Sequence, residues 1–452
     1  MSSTLFRVQE HTLASSHIRE YPRATAEGQE DVLQLVVKQY SPRGTFNAKN
    51  QVTIIGAHAN AFPKELYEPL WDELYQRLKA KGIRISNIFI ADVAHQGASG
   101  IVNEQKLGND PSWMDHSRDL FLMVNHFRQY MKRPIIGVGH SMGGANLVNL
   151  SLIHPRLFTS LVLVDPVMTR LPSIQGNFFP ARASTNRRDL WPSRKAAEAS
   201  FKRSKFYQTW DPRVLDLWVQ YGLRQLPTYI HPHVTPASGT PPIITADPST
   251  ATIPPEPTTE QEVTLATTKH QEVFQFTRPN YVTEEYPSPS TQPNPVTHPD
   301  VDPTAGPNEP FYRPESHATF HKLQYLRPSV FYIFADKSDL CTPLSIADKL
   351  AQTGVGVGGS GGVKKGRVSA VTFKGVGHLI PMEVVDETAE ASADWVEKEV
   401  ERWRALEDVE RRAWAAVPRE QKSVLSEEYQ RTMNGDWLKT PAELERKGKS
   451  KI

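Results

Sequence analysis

The amino-acid sequence predicts an α/β fold: a mostly parallel sheet covered on both faces by helices, with a helical lid and a Pro-rich insertion. Three observations carry this expectation. Short Val/Ile-rich runs alternate with stretches of helical apolar spacing. Several of the runs are apolar without alternation, as strands buried on both faces are. Nineteen of the 36 prolines fall between positions 227 and 314, where they interrupt the alternation.

In chain order, strands are expected at 33–40, 52–59, 83–92, 135–140 and 160–165, with helices at 63–80, 113–131 and 142–154 between them. Residues 167–225 carry helical segments and five tryptophans and tyrosines, between Trp191 and Tyr221, at the place where a lid would sit, lining a pocket or packing the lid onto the body. The segment 226–317 reads as a largely irregular insertion. Two aromatic patches inside it, near 269–281 and 311–313, are candidates for docking on the body. The pattern resumes with strands at 329–336 and 368–373 and helices near 344–352 and 382–404. The expected division is therefore core 1–166, lid 167–225, insertion 226–317, core 318–405 and a charged helical tail 406–452. The Gly-rich stretch 354–366 follows a helix and precedes a strand, the reverse of a phosphate loop, and reads as a connection.

Composition narrows the function classes. Lys plus Arg number 52 against 50 Asp plus Glu in 452 residues, so no basic field points to nucleic acid. The single cysteine, Cys341, excludes an intrachain disulfide framework. No apolar run reaches the roughly 18 residues needed to span a bilayer. No metal cluster or dinucleotide fingerprint is present, so neither metal nor cofactor is expected.

Gly139-His140-Ser141-Met142-Gly143 lies between a strand and a helix, the setting of a nucleophile elbow, in which flanking glycines permit a strained turn that exposes the serine. Ser141 is the candidate nucleophile, and the Met142 N–H is a candidate oxyanion donor at the start of the helix. A serine needs a base. His378, on a Gly-rich loop after a strand, is the choice among 15 histidines. For the orienting acid Asp339, just past the strand at 329–335, is preferred, with Asp336 and Asp165 as alternatives. The second oxyanion donor is expected in the loop 57–63, from the N–H of Asn60 or else Ala59. Cys341 reads as a small buried filler.

These residues resemble the α/β-hydrolase superfamily over about 50–225 and 318–405. HANAFPKELYEPLW, AHQGAS, REYPRA and FYQTWDPRVL are similar to a group of fungal α/β-hydrolases that includes peroxisomal lipase-like proteins and hydrolases of toxin-biosynthesis gene clusters. The resemblance implies a serine hydrolase acting through an acyl-enzyme on esters or acyl thioesters of lipid or polyketide type. An acyltransferase with the same triad, or a silent binding protein of this fold, is the alternative. Two positions depart from the family pattern: Ala59 where glycine is usual, and the turn at 92–99, where His95 is a candidate to face the pocket. The final residues Ser450, Lys451 and Ile452 resemble a peroxisomal address, which implies an import receptor as partner and the peroxisome, otherwise the cytoplasm, as location.

Overall fold

The computed structural model describes residues 2–44, 50–171, 174–232, 261–280, 296–301 and 310–435. The chain divides into two compact units, Met1–Glu399 and Val400–Ile452. The first is built on eight strands: β1 Phe6–Ala14, β2 Gln34–Pro42, β3 Gln51–Ala57, β4 Arg84–Ala91, β5 Ile135–His140, β6 Ser160–Val164, β7 Ser329–Ala335 and β8 Val368–Phe373. Their spatial order is β1-β2-β4-β3-β5-β6-β7-β8. From β4 to β8 neighbours run parallel, while β2 joins β4, and β1 joins β2, antiparallel.

The non-alternating runs behave as expected, since every residue of β5, β6 and β7 is buried. β1 is an addition to the expected strands. Its FRVQEHTLA sequence is exposed at most positions because it forms the sheet edge, so burial leaves no apolar signature.

Helices α1 Glu68–Ala80, α2 Trp113–His126 and α3 Met142–Ile153 connect the first strands. α1 starts later than expected, after a 3-10 turn at Lys64–Tyr67, and α2 is capped at its start by Ser112, whose hydroxyl accepts from the Met114 N–H. α3 is buried continuously from Met142 to Ser151, which is why its sequence is apolar on all sides.

The lid holds α4 Ile174–Asn186, α5 Arg194–Arg203 and α6 Pro212–Tyr221. Its aromatics pack chiefly on one another and on the body: Tyr207 lies 4.8 Å from Phe201, Trp210 5.0 Å from Tyr207, and Phe62 of the core 5.7 Å from Trp210. Within the insertion, the described residues include a strand Val263–Leu265 paired on both sides with lid strands, and α7 Lys269–Phe276. Arg278 is fully buried. Its guanidinium makes two 2.7 Å bonds to Asp110, bonds Asp300, and lies 3.4 Å from the Tyr21 ring centroid. Arg313 Nη1 donates to the Pro111 carbonyl at 3.1 Å, so the described residues of both aromatic patches sit on the folded body. The remaining helices of this unit include α8 Pro314–Lys322 and α9 Pro343–Gln352. The Gly-rich stretch lies between α9 and β8, as a connection.

Candidate active site

Ser141 stands between β5 and α3 with φ 57° and ψ −121°, a left-handed strain that non-glycine residues rarely adopt. The turn closes only because Gly139 and Gly143, two positions to either side, lack side chains. A Cβ on Gly139 would lie 2.7 Å from the Gly143 carbonyl oxygen, and one on Gly143 2.2 Å from the Ala57 carbonyl oxygen. The Ser141 N–H donates to the Val164 carbonyl, tying the elbow to the end of β6.

His378, past the end of β8, places Nε2 2.9 Å from Ser141 Oγ and Nδ1 2.6 Å from Asp165 Oδ2. A carboxylate only accepts, so Nδ1 carries the hydrogen and Nε2 is left to accept from the serine hydroxyl. The acid on the imidazole is therefore Asp165, at the end of β6, and not the preferred Asp339. Asp339 is exposed on the cleft wall, and Asp336 is exposed with its Oδ1 accepting from the Gly375 N–H at 2.7 Å. Asp165 follows β6 with φ 40°, a positive value that non-glycine residues rarely adopt.

Burial pushes the Asp165 carboxyl up, but His378, Cys341 and Ser338 together hold it below the usual carboxylate range. Cys341 is more than filler: its Sγ lies 2.7 Å from Asp165 Oδ1, and burial with the adjoining carboxylate pushes the thiol up to about 12. It remains a protonated donor.

The loop after β3 runs beside the elbow. Among the described residues, the N–H groups of Asn60 and Met142 donate to no protein acceptor, whereas the Ala59 N–H is taken by Tyr67 Oη at 2.8 Å. That leaves Asn60 of the two loop amides considered. Its side chain is held on both sides: Oδ1 accepts from Gln96 Nε2 at 2.7 Å, and Nδ2 donates to the Glu272 carbonyl of α7 at 3.1 Å. Gln96 Oε1 also accepts from the Ala61 N–H, a residue with φ 70°. Gln96 belongs to the departing turn at 92–99, so that departure supports the loop that carries Asn60. His95 lies buried beside it, in the wall of a different cavity. α7 also reaches Met142, through Gln275 Nε2 at 2.7 Å from its sulfur. Gln96 and Gln275 carry no local motif that marks them in the sequence.

Ser141 and His378 open into a cleft of about 1020 Å³. Phe62, Met168, Phe179, Phe276, Phe320 and Leu344 give it a broad apolar wall, while Arg170, Asp339 and Asp348 supply charge. The lid contributes residues 167–171 and Asn177, Phe179 and Pro180 of α4, and none of its tryptophans. Among the described residues no group of three or more His, Cys, Asp or Glu could hold a metal ion, and no helix is long and apolar enough to cross a membrane.

A family model described as the alpha/beta hydrolase family matches residues 54–395. The chain belongs to the α/β-hydrolase family. This hydrolase is 42% identical over 413 residues to the type I acyl-CoA thioesterase mpaH of Penicillium roqueforti, covering 90% of this chain and 91% of that one. It is 26% identical over 269 residues to the abhydrolase domain-containing protein AFT2-1 of Alternaria alternata, covering 60% and 85%. Among solved structures, the peroxisomal alpha-beta-hydrolase Lpx1 of Saccharomyces cerevisiae superposes with a TM-score of 0.62 over 99% of both chains at 14% identity, a likeness of fold.

Proposed function

We propose that this α/β-hydrolase cleaves acyl thioesters, acyl-CoA foremost, and related carboxylic esters through an acyl-enzyme on Ser141. That it is a hydrolase of ester or thioester bonds follows from its family and its thioesterase relatives; the finer reading names the machinery and the substrate. The observation that carries it is the unbroken hydrogen-bond line Ser141–His378–Asp165 opening on an apolar cleft.

In this reading His378 Nε2 takes the Ser141 proton as Oγ attacks the carbonyl carbon, and Asp165 holds the imidazolium that forms. The carbonyl oxygen becomes an oxyanion facing the N–H groups of Met142 and Asn60. The C–S bond then breaks and His378 returns its proton to the departing thiolate. Water, deprotonated by His378, attacks the acyl-enzyme and frees the acid and Ser141. The apolar wall fits an acyl group of lipid or polyketide type, with no cofactor.

The test is a panel of aryl esters and acyl-CoA thioesters of graded chain length, run on wild type and Ser141→Ala. Turnover of thioesters that the variant lacks supports the reading; equal turnover by both sinks it. Location is a second part of the proposal. Ser450, Lys451 and Ile452 lie outside the described residues, and the peroxisomal reading rests on their sequence. Fluorescent protein fused ahead of the last twelve residues should become punctate with a peroxisomal marker, and diffuse once Lys451 and Ile452 are removed.

A further inference from the structure

A buried line of hydrogen bonds joins the two loops that frame Ser141. The Ala59 N–H donates to Tyr67 Oη at 2.8 Å, Tyr67 Oη lies 2.9 Å from His140 Nδ1, and His140 Nε2 lies 3.0 Å from the His378 carbonyl oxygen. Ala59, Tyr67 and His140 are each buried.

The hydrogens along this line follow from what each group is able to do. A carbonyl oxygen only accepts, so His140 Nε2 carries a hydrogen and donates it. An amide N–H only donates, so Tyr67 Oη accepts from Ala59 and its own hydrogen points elsewhere. His140 Nδ1, the acceptor left on the neutral ring, receives it. Of the two neutral tautomers, only Nε2–H satisfies all three bonds at once. Burial, the largest influence, carries the His140 pKa down to about 3, so the ring stays neutral through the range in which a hydrolase works.

Of these residues Ala59 borders the cleft that holds Ser141, but the Tyr67 and His140 side chains do not line it. Their position is nonetheless specific. One end holds the amide next to Asn60, the candidate oxyanion donor; the other holds the backbone of His378; and His140 directly precedes Ser141. We infer that Tyr67 and His140 are positioning residues, a cross-tie that fixes the oxyanion loop against the histidine loop through the elbow between them. The inference rests on the roles proposed above for Ser141, His378 and Asn60. Removing the Tyr67 hydroxyl leaves the buried Ala59 N–H without an acceptor and His140 Nδ1 without a donor. The ring is then free to change tautomer, which would end its bond to the His378 carbonyl. Both loops lose their mutual restraint while the cleft wall is untouched.

The test uses the full chain with an aryl ester and an acyl-CoA thioester. The variants are Tyr67→Phe, His140→Leu, His140→Gln and the Tyr67→Phe/His140→Leu double variant, with Ser141→Ala alongside. Tyr67→Phe should lower kcat by about 10- to 100-fold, as misplacement of reacting groups does, with KM within about twofold. Labelling of Ser141 by a fluorophosphonate should slow in the same proportion. The double variant should be no worse than its more severe parent, because either change alone breaks the tie. His140→Gln, which offers both an acceptor and a donor, should retain more kcat than His140→Leu, a comparison that stands even if Tyr67→Phe fails to fold. Wild-type kcat in Tyr67→Phe, multiplicative losses in the double variant, or equal kcat in the two His140 variants would overturn the cross-tie while Ser141→Ala is inactive. A Ser141→Ala variant that stays active would overturn the function beneath it.

Discussion

Asp165 Oδ2 sits 2.6 Å from His378 Nδ1, across 213 positions of sequence, while its other oxygen is occupied by the Cys341 thiol. The carboxylate is thereby held in one orientation and the imidazole in one tautomer. Asp165→Asn replaces the accepting oxygen by an amide and should lower kcat by a factor of order 10⁴, as loss of the orienting acid does in serine hydrolases. Asp339→Asn and Asp336→Asn should stay within about tenfold of wild type, since neither carboxylate meets the ring. Steady-state kinetics on one aryl ester decides this. A dead Asp339→Asn beside an active Asp165→Asn would return the role to the loop after β7.

Ser141→Ala and His378→Ala should each remove turnover by about 10⁴ or more and leave the thermal transition in place, because the residues of such a unit act together. The double variant should lose no more than either single one. A tenth of wild-type activity in either single variant would refute the assignment.

Gln96 bonds both Asn60 Oδ1 and the Ala61 N–H. Gln96→Leu keeps the volume but leaves two buried polar groups unpaired next to the candidate oxyanion donor. A fall in kcat of roughly tenfold or more is expected, larger than the change in KM. Unchanged kcat in a folded variant would remove Gln96 from the support of that loop.

The parallel core and the elbow were legible in the sequence for a physical reason. Strands buried on both faces are apolar along most of their length, as in IIGVG at 135–139, and a serine forced to positive φ needs the small residues Gly139 and Gly143 on either side of the turn. The acid was not decided by the same logic. Asp165, Asp336 and Asp339 all follow strand ends on adjacent strands, β6 and β7, and only the folded chain brings one of them, Asp165, to His378 Nδ1. Edge strand β1 and the buried Arg278 escaped as well, because an exposed edge needs no apolar period and an ion pair such as Arg278–Asp110 joins residues 168 positions apart. Cys341, Tyr67 and Gln96 act through partners, which no local pattern encodes.

Arg278 tests whether the insertion is part of the body. Its two bonds to Asp110 and its bond to Asp300 tie segments near 278 and 300 to the core. Arg278→Met removes the charge and leaves Asp110 without its guanidinium in a buried site, which should cost about 3–5 kcal/mol. Urea unfolding measures it. A loss under about 1 kcal/mol, the range of exposed pairs, would mean that the cluster does not anchor the insertion.

The buried histidines contribute an acid-sensitive part of the protein's stability. His95, His116 and His140 each have a pKa brought down to about 3, chiefly by burial, from the ordinary 6.5. In the unfolded chain these rings take up a proton as the pH falls through about 6.5; in the native protein they do so only near 3. Between those values the unfolded state binds more protons, so the stabilisation is fully present above pH 6.5 and is lost progressively as the pH falls toward 3. Three protons correspond to a slope of up to about 4 kcal/mol per pH unit. Urea unfolding between pH 7.5 and 5, above the ordinary range of carboxyl titration, should therefore show stability falling ever more steeply toward acid. His116 provides the control, since both its ring nitrogens are buried without a hydrogen-bond partner among the described residues. His116→Phe loses no hydrogen bond there and removes one titrating ring, so its slope at acid pH should be shallower by about 1.4 kcal/mol per pH unit. A His116→Phe slope equal to that of wild type would contradict a neutral buried ring at this position.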